Sequence, residues 1–501
     1  MGQNSMGDIE RFSKLVTGGY CCISIVTYEE QYALEVVRQV ALGLSRDMWI
    51  WSVSGGIRDG LLAESPFIAN TEIPAAGLRN LSNAKEGSIC VTLDIAEHLK
   101  GGGLALRTLR DIIKSFEKNG STLVMIDSKD NLPSVLVSYA RPYEISFPDK
   151  NELQEIIRRT LSRLHSKKPI EVGISQRGLD TIVRNLSGLT RRQAERIIVD
   201  TVAEDMRFDD DDINVVIASK RRMIQRGGLL EYIQTPLDLS EIGGMRLLKK
   251  WLAERKDAFT SKAEEFGLTA PKGVLMLGVQ GAGKSLCAKA IATAWHQPLL
   301  RMDPSALYAS YIGESERNLR DALRQTEAMS PVILWIDEIE KGFASAASQS
   351  TDGGLSKRMF GTLLTWMQEH EAPVFVIATA NDIEALPPEL LRKGRFDEIF
   401  FVDLPDETVR KDIFAIHLKK RGREPGKFDL DALARTSEGY SGAEIEQAVI
   451  SALHEAYANK TELDTNRILS ALRNSPPLSV TMAESVQCLR AWAEGRCVPA
   501  D

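Results

Sequence analysis

Gly278-Val279-Gln280-Gly281-Ala282-Gly283-Lys284-Ser285 follows the apolar run Val274-Leu275-Met276-Leu277 and leads into an alanine-rich segment from Leu286 to Trp295. The eight residues fit the pattern G-x-x-x-x-G-K-[ST]. Glycines let a backbone wrap closely round a polyphosphate, because they take positive φ at little cost and leave room for approach. The amide N–H groups of such a loop, and the start of the helix behind it, then point at negative charge. Lys284 is placed to reach β- and γ-phosphates, and the Ser285 hydroxyl to reach Mg²⁺. The apolar run reads as a buried strand and the alanine-rich segment as a helix. Strand, loop and helix are the setting the pattern requires, which sets aside a glycine-rich turn with a chance lysine. Gly278 to Ser285 and the following Leu286 are the candidate nucleotide contacts.

Two further strands carry chemistry at their ends. Pro331-Val332-Ile333-Leu334-Trp335-Ile336 ends in Asp337-Glu338. Buried parallel strands present functional residues at their carboxyl ends. There Asp337 would hold Mg²⁺, directly or through water, and Glu338 would orient and polarise an attacking water. Val374 to Ala380 ends in Asn381, which either hydrogen-bonds a γ-phosphate or the water, or serves as a helix cap or turn residue. In Leu390-Leu391-Arg392-Lys393-Gly394-Arg395, the two arginines are either a solvated face or guanidinium groups offered to a neighbouring subunit's phosphate.

Length and composition bound the rest. The 501 residues, 43% hydrophobic and 26% charged, leave room for several domains of an ordinary globular protein. A net charge of −7 argues against a broad nucleic-acid surface. No apolar run approaches membrane-spanning length, and the first residues lack a signal-peptide pattern. Six cysteines without a C-x-x-C pair, and six histidines without H-E-x-x-H, point to a reducing, cytoplasmic setting and away from a zinc protease.

The first half alternates strand-like and helix-like segments: Cys21 to Val26, Glu29 to Leu44, Met48 to Val53, Ser88 to Asp94, Gly103 to Lys118 and Leu123 to Ile126. Such alternation implies a parallel sheet with helices on both faces. Pro148-Asp149 recurs as Pro405-Asp406, 257 residues later, and Ser187-Gly188-Leu189 resembles Glu438-Gly439-Tyr440, at an offset of 251. Two copies of one architecture are therefore expected. The first lacks the phosphate chemistry. Thr27-Tyr28-Glu29-Glu30 stands where the glycine loop would be, and its carboxylates repel a triphosphate. Asp94 is read at the place of the metal-binding aspartate, with Ile95 where a base is needed. A non-hydrolysing module for packing, partner binding or assembly is expected. Residues 204–236 read as a linker, in which the four acids Asp209 to Asp212 make a solvated helix start or turn.

With these motifs in hand, residues 237–470 resemble the AAA family of P-loop ATPases, in the branch typified by FtsH. Ile242-Gly243 matches the opening motif, whose backbone contacts adenine in the family. By the same resemblance Asn381 is sensor 1, Arg392 and Arg395 are the arginine fingers, and His417 lies near the ribose. Gly442-Ala443 belongs to the lid motif, with Ala443 at the sensor-2 position. Tyr311-Ile312 matches the loop that lines a central pore and grips polypeptide. The variant loop with Val279, Gln280 and Ala282, the degenerate first copy and the ending Pro476 to Met482 resemble the plastid and cyanobacterial open-reading-frame AAA proteins. The resemblance implies an α/β fold: a P-loop AAA+ sheet at 237–405 with a helical lid at 406–474. Before it would come a degenerate AAA+-like module at 1–203 (α/β part 8–147, helical part 148–203) and the linker, and after it a tail at 475–501 with a helix. It also implies ATP and Mg²⁺ as cofactors, a homo-oligomer, a hexamer by analogy, and a protein client. Alternatives are a nucleotide-gated scaffold without threading and a nucleic-acid translocase.

Overall fold

The computed structural model describes residues 7–62, 65–99, 103–226, 229–233, 239–259, 263, 265–303, 314–341, 355–392 and 394–501. They form two compact units: Met1–Arg163 with Leu189–Ile198, and Leu164–Gly188 with Val199–Asp501.

The first unit is built on a six-stranded sheet. Its strands are β1 (Cys22–Val26), β2 (Met48–Ser52), β3 (Gly56–Asp59), β4 (Ile89–Leu93), β5 (Thr122–Asp127) and β6 (Arg141–Tyr143). They lie in the order β3-β2-β4-β5-β1-β6. All pair in parallel except β3, which runs antiparallel to β2 at the edge. Central β5 is buried along its whole length, as its unbroken apolar run Leu123 to Ile126 requires when helices cover both faces.

The second unit contains the small pair β7 (Glu171–Val172) and β8 (Arg207–Phe208) and a seven-stranded sheet. The sheet's strands are β9 (Leu230–Ile233), β10 (Gly273–Gly278), β11 (Leu299–Met302), β12 (Val332–Ile336), β13 (Val374–Ala380), β14 (Glu398–Val402) and β15 (Val498–Pro499). Their order is β15-β14-β10-β13-β12-β11-β9, with β9 antiparallel to β11. The inner order β14-β10-β13-β12-β11 is that of β6-β1-β5-β4-β2 in the first unit, and each sheet adds an antiparallel strand beyond the same edge. The recurrence read from Pro148 and Pro405 is thus a recurrence of topology. Gly188 and Gly439 also match, with φ of +81° and +78° before the helices Arg191–Asp205 and Gly442–Ala458. Behind β10 and β13, Trp295 packs on Phe375 with ring centroids 4.6 Å apart, joined by Trp251, Phe259 and Phe400. Truncating a ring in such a cluster costs about 3–5 kcal/mol. The cluster therefore fixes the helix Lys284–Trp295 against the sheet.

Two expectations change here. The stretch 204–236 is not a bare linker: it supplies β8, the helix Asp212–Arg226 and β9. Within it the acidic run is a turn at a helix start, as its composition suggests: Asp212 accepts the amide of Asp209 and begins that helix. The segment read as the first module's helical part is divided, with 164–188 and 199–203 packing in the second unit. The tail also supplies more than its helix Ala483–Ala493, since Val498-Pro499 extends the main sheet.

In the first unit, a half-buried charge network ties the strand-end loop to the helices. Arg191 donates from its backbone N to Glu29 Oε1 (2.8 Å) and from its guanidinium to Glu29 Oε2 (3.3 Å), to both oxygens of Glu152 (2.6 and 2.8 Å) and to the Ser146 carbonyl. Its guanidinium carbon lies 3.4 Å from the Tyr32 ring centroid. Removing one partner of such a half-buried network leaves its carboxylates without their donor, at a cost of about 1–3 kcal/mol. Arg191→Ala should therefore lower the denaturant concentration at which β1 and β5 lose hydrogen-exchange protection in the full chain, and leave β10 and β13 near their wild-type values. An equal shift in all four strands would contradict this.

Candidate functional site

The site forms at the carboxyl ends of β10, β12 and β13. β10 ends in Gly278, where the chain passes so close to β14 that an added Cβ would lie 2.0 Å from the Val402 carbonyl oxygen. Gly283, with φ of +100°, turns the loop directly into the helix Lys284–Trp295. The lid closes on this loop from outside, the Ala443 amide donating to the Gly281 carbonyl at 3.1 Å. Ser441 begins the helix Gly442–Ala458 with a capping box completed by Glu444, which sets the angle at which Gly442 and Ala443 meet the loop.

Lys284 is buried, and its ammonium donates to the carbonyls of Gly278 (2.7 Å) and Val279 (2.8 Å). Burial lowers its pKa to about 8, while the carboxylates of Glu340, Asp337 and Glu338 pull the other way. It thus sits as a shielded cation with a ready exchange partner in any phosphate oxygen. Asp337 Oδ1 accepts the Ser285 hydroxyl at 3.2 Å and the Thr379 hydroxyl at 2.7 Å, and its Oδ2 lies 3.6 Å from Arg301. A hydroxyl beside a carboxylate is the hard oxygen set that suits Mg²⁺, so these residues fit that ion. Glu338 adopts φ of +49°, its amide donates to Thr379 Oγ1 at 3.0 Å, and its Oε1 accepts the Asn381 side-chain amide at 3.0 Å. An uncommon backbone conformation at a strand end is a device that re-aims a side chain.

A cavity of about 400 Å³ runs from these groups to the lid. Ile242, Gly243, Gln280 to Leu286, Asp337, Glu338, Asn381, His417, Gly442 and Ala443 all line it. Gly278 and Val279 lie behind and act through their carbonyls on Lys284. Arg392 and Arg395 are not among the lining residues, and Tyr311 and Ile312 lie outside the described residues. At the far end Ile413 and Ile416 offer apolar walls beside His417. Burial lowers the His417 pKa below the usual range, although Glu446, 3.4 Å from Nδ1, works against it; the ring is neutral near pH 7. Arg421 holds Glu446 at 2.8 Å.

Several residues of the site escaped the sequence reading. Thr379 stands one residue inside a run that looked wholly structural. Glu340 is buried, accepts the Asn381 backbone amide at 2.9 Å, and has its pKa raised by burial. Its spacing from Glu338 was the available signal. Ile413, Ile416 and His417 share one face of a helix, a pattern that could have marked a base-sized wall. In the first unit, Asp94 adopts φ of +50°, which matches Glu338 rather than Asp337. The earlier assignment therefore shifts by one: Leu93 stands where the metal aspartate would, and Asp94 where the base would. There its carboxylate accepts the Ser128 amide and hydroxyl at 3.0 and 2.9 Å.

Comparison with known proteins agrees with this geometry. Residues 274–404 match the model of the ATPase family associated with various cellular activities (AAA), and 427–470 match the AAA+ lid domain. Residues 8–141 and 151–227 match the N-terminal and second domains of SpoVK-like AAA ATPases. The chain is 35% identical to the "Uncharacterized AAA domain-containing protein ycf46" of Guillardia theta, over 97% of this chain and 95% of that protein. It is 40% identical to the protein of the same name from Pyropia yezoensis, over 78% of each. It is also 35% identical to the proteasome-activating nucleotidase of Saccharolobus islandicus, over 45% of this chain and 59% of that protein. Cavity, loop and relatives converge: the chain belongs to the AAA family and is an ATPase.

Proposed function

We propose that this ATPase hydrolyses ATP with Mg²⁺ in a ring of identical subunits, a hexamer, and uses the cycle to remodel a protein partner in the cytoplasm. In this reading residues 237–405 and 406–474 are the hydrolytic body and its lid, and the first module engages the partner. The observation that carries the hydrolytic half is the Glu338–Asn381 pair at 3.0 Å, set beside the Ser285–Asp337 pair at the adjoining strand ends, next to Lys284.

The chain's own groups have separable tasks. The loop amides and Lys284 bind the phosphates. Ser285 and Asp337 would hold Mg²⁺, which neutralises phosphate charge when bound. Glu338 takes the proton of the attacking water, and Asn381, fixed by Glu340 through its backbone amide, keeps Glu338 in position. Ile242, Gly243, Ile413 and Ile416 would receive the base, and the neutral His417 would accept a ribose hydroxyl.

The ring is supported by Arg392 and Arg395, which stand away from their own subunit's cavity. Arg392 is exposed, and a guanidinium outside its own cavity that reaches the surface suits a phosphate presented by a neighbour. A protein client accords with a relative named for activating a proteasome. Tyr311 and Ile312 are proposed as the pore residues that grip it. The rival scaffold reading draws on the first unit, whose strand-end loop is filled by Glu29 and Arg191 and so is free to specialise in binding.

Glu338→Gln should bind ATP with near wild-type affinity while turnover drops by about 10²–10⁴-fold, the usual worth of a positioned general base. Steady-state phosphate release and equilibrium binding measure the two separately, and unimpaired turnover would remove Glu338 from the mechanism. Arg395→Ala should assemble normally and lose about 10³-fold or more in turnover. In mixtures with an equal amount of Lys284→Ala protein, it should regain activity wherever an intact arginine faces an intact loop. Full activity of Arg395→Ala alone would rule out the trans contribution.

A further inference from the structure

Residue 501 lies against the loop that walls the base end of the cavity. Ile242 and Gly243 line that wall, and the chain then enters the helix Arg246–Arg255 through Met245 (φ +54°), whose thioether provides no side-chain cap. Asp501 supplies the missing cap from more than 250 residues away. Its Oδ2 accepts the Met245 amide at 2.9 Å, and its Oδ1 accepts the Arg246 amide at 3.3 Å and Arg246 Nε at 2.8 Å. Burial opposes ionisation of this carboxyl, but Arg246 and the two amides outweigh it and hold the pKa below the usual carboxylate range. The charge is thus present throughout the neutral range.

The fit is close. Gly244 has φ of +66°, and an added Cβ would lie 2.3 Å from Asp501 Oδ2. The carboxylate itself is anchored to the sheet. Val498 and Pro499 run along β14, the Ala500 amide donates to the Phe401 carbonyl at 2.9 Å, and the Ala500 carbonyl accepts the Leu248 amide at 3.1 Å. Ala500 is buried in the same apolar cluster as Ile242, Met245 and Leu248. On the other side of the loop, Lys249 Nζ donates to the Ile242 carbonyl at 2.6 Å. The loop is therefore pinned at both ends, and one of the pins comes from a strand that carries no residue of the cavity.

We propose that Asp501 is a positioning residue of the nucleotide site, which holds the Ile242–Met245 loop in place to receive the base. The assignment rests on reading the cavity as the ATP site. It predicts a penalty for ligands that carry a base and none for a bare polyphosphate, because in that reading Ile242 and Gly243 meet the base whereas Lys284 and Ser285 hold the phosphates. The test is calorimetric titration of the full chain, wild type and Asp501→Ala, with ATP, ADP and inorganic tripolyphosphate, alongside the melting temperature of each protein. Loss of a charge-assisted bond should weaken ATP and ADP alike by about tenfold. Tripolyphosphate affinity should stay near that of wild type. Asp501→Asn, which keeps an acceptor oxygen without the charge, should fall between them, and KM for ATP should rise by more than kcat falls. Unchanged ATP affinity would overturn the assignment, and so would an equal loss for tripolyphosphate, which would mark general structural damage. A wild-type chain that binds tripolyphosphate but not ATP would overturn the reading of the cavity itself.

Discussion

Lys284 gives up its water to lie between the carbonyls of Gly278 and Val279, and the rest of the second unit is arranged around that exchange. An ammonium is costly to bury, and two carbonyl oxygens only partly replace its hydration. The lowered pKa, about 8, registers the deficit. A phosphate oxygen repairs it better than either carbonyl. The loop can hold the lysine there because Gly278 admits the close approach of β14 and because the aromatic cluster behind β10 fixes the following helix. The three nearby carboxylates favour the charged form, so the cation survives burial.

The same topology without this exchange is found in the first unit. There the loop after β1 carries Glu29, and the opposing helix start carries Arg191. In the second unit those two places belong to the phosphate loop and to Gly442, with a cavity between them. One sheet order thus supports two outcomes. Where the loop is rich in N–H groups and ends in lysine, the gap accommodates an anion. Where it carries a carboxylate, the chain fills the gap with its own cation. The family model spanning 8–141 agrees that the first unit is a recurrent domain of these ATPases.

How far the sequence spoke for itself varied with the range of the signal. The loop Gly278 to Ser285, the Asp337-Glu338 pair and the two-copy architecture were legible because each is written in contiguous residues or in a repeated spacing. The partners of those residues were not. Thr379 lies within a strand whose neighbours are all apolar, and only the register of β12 against β13 places its hydroxyl on Asp337. Asp94 was assigned one place off because a left-handed residue at a strand end leaves no mark in composition. Residues 204–236 looked like a linker since β9 is four residues long, and what makes it a strand is its pairing with β11. Asp501 depends on contacts across more than 250 residues, and no local pattern announces them.

The central claim is that one of the two like-ordered units keeps the phosphate chemistry and the other has replaced it with an internal ion pair. The most direct measurement is the number of ATP molecules bound per chain at saturation, taken by equilibrium dialysis on Glu338→Gln protein so that hydrolysis does not interfere. The account predicts one ATP per chain, and none once Lys284→Ala is added. Two ATP per chain, or one that persists without Lys284, would contradict it.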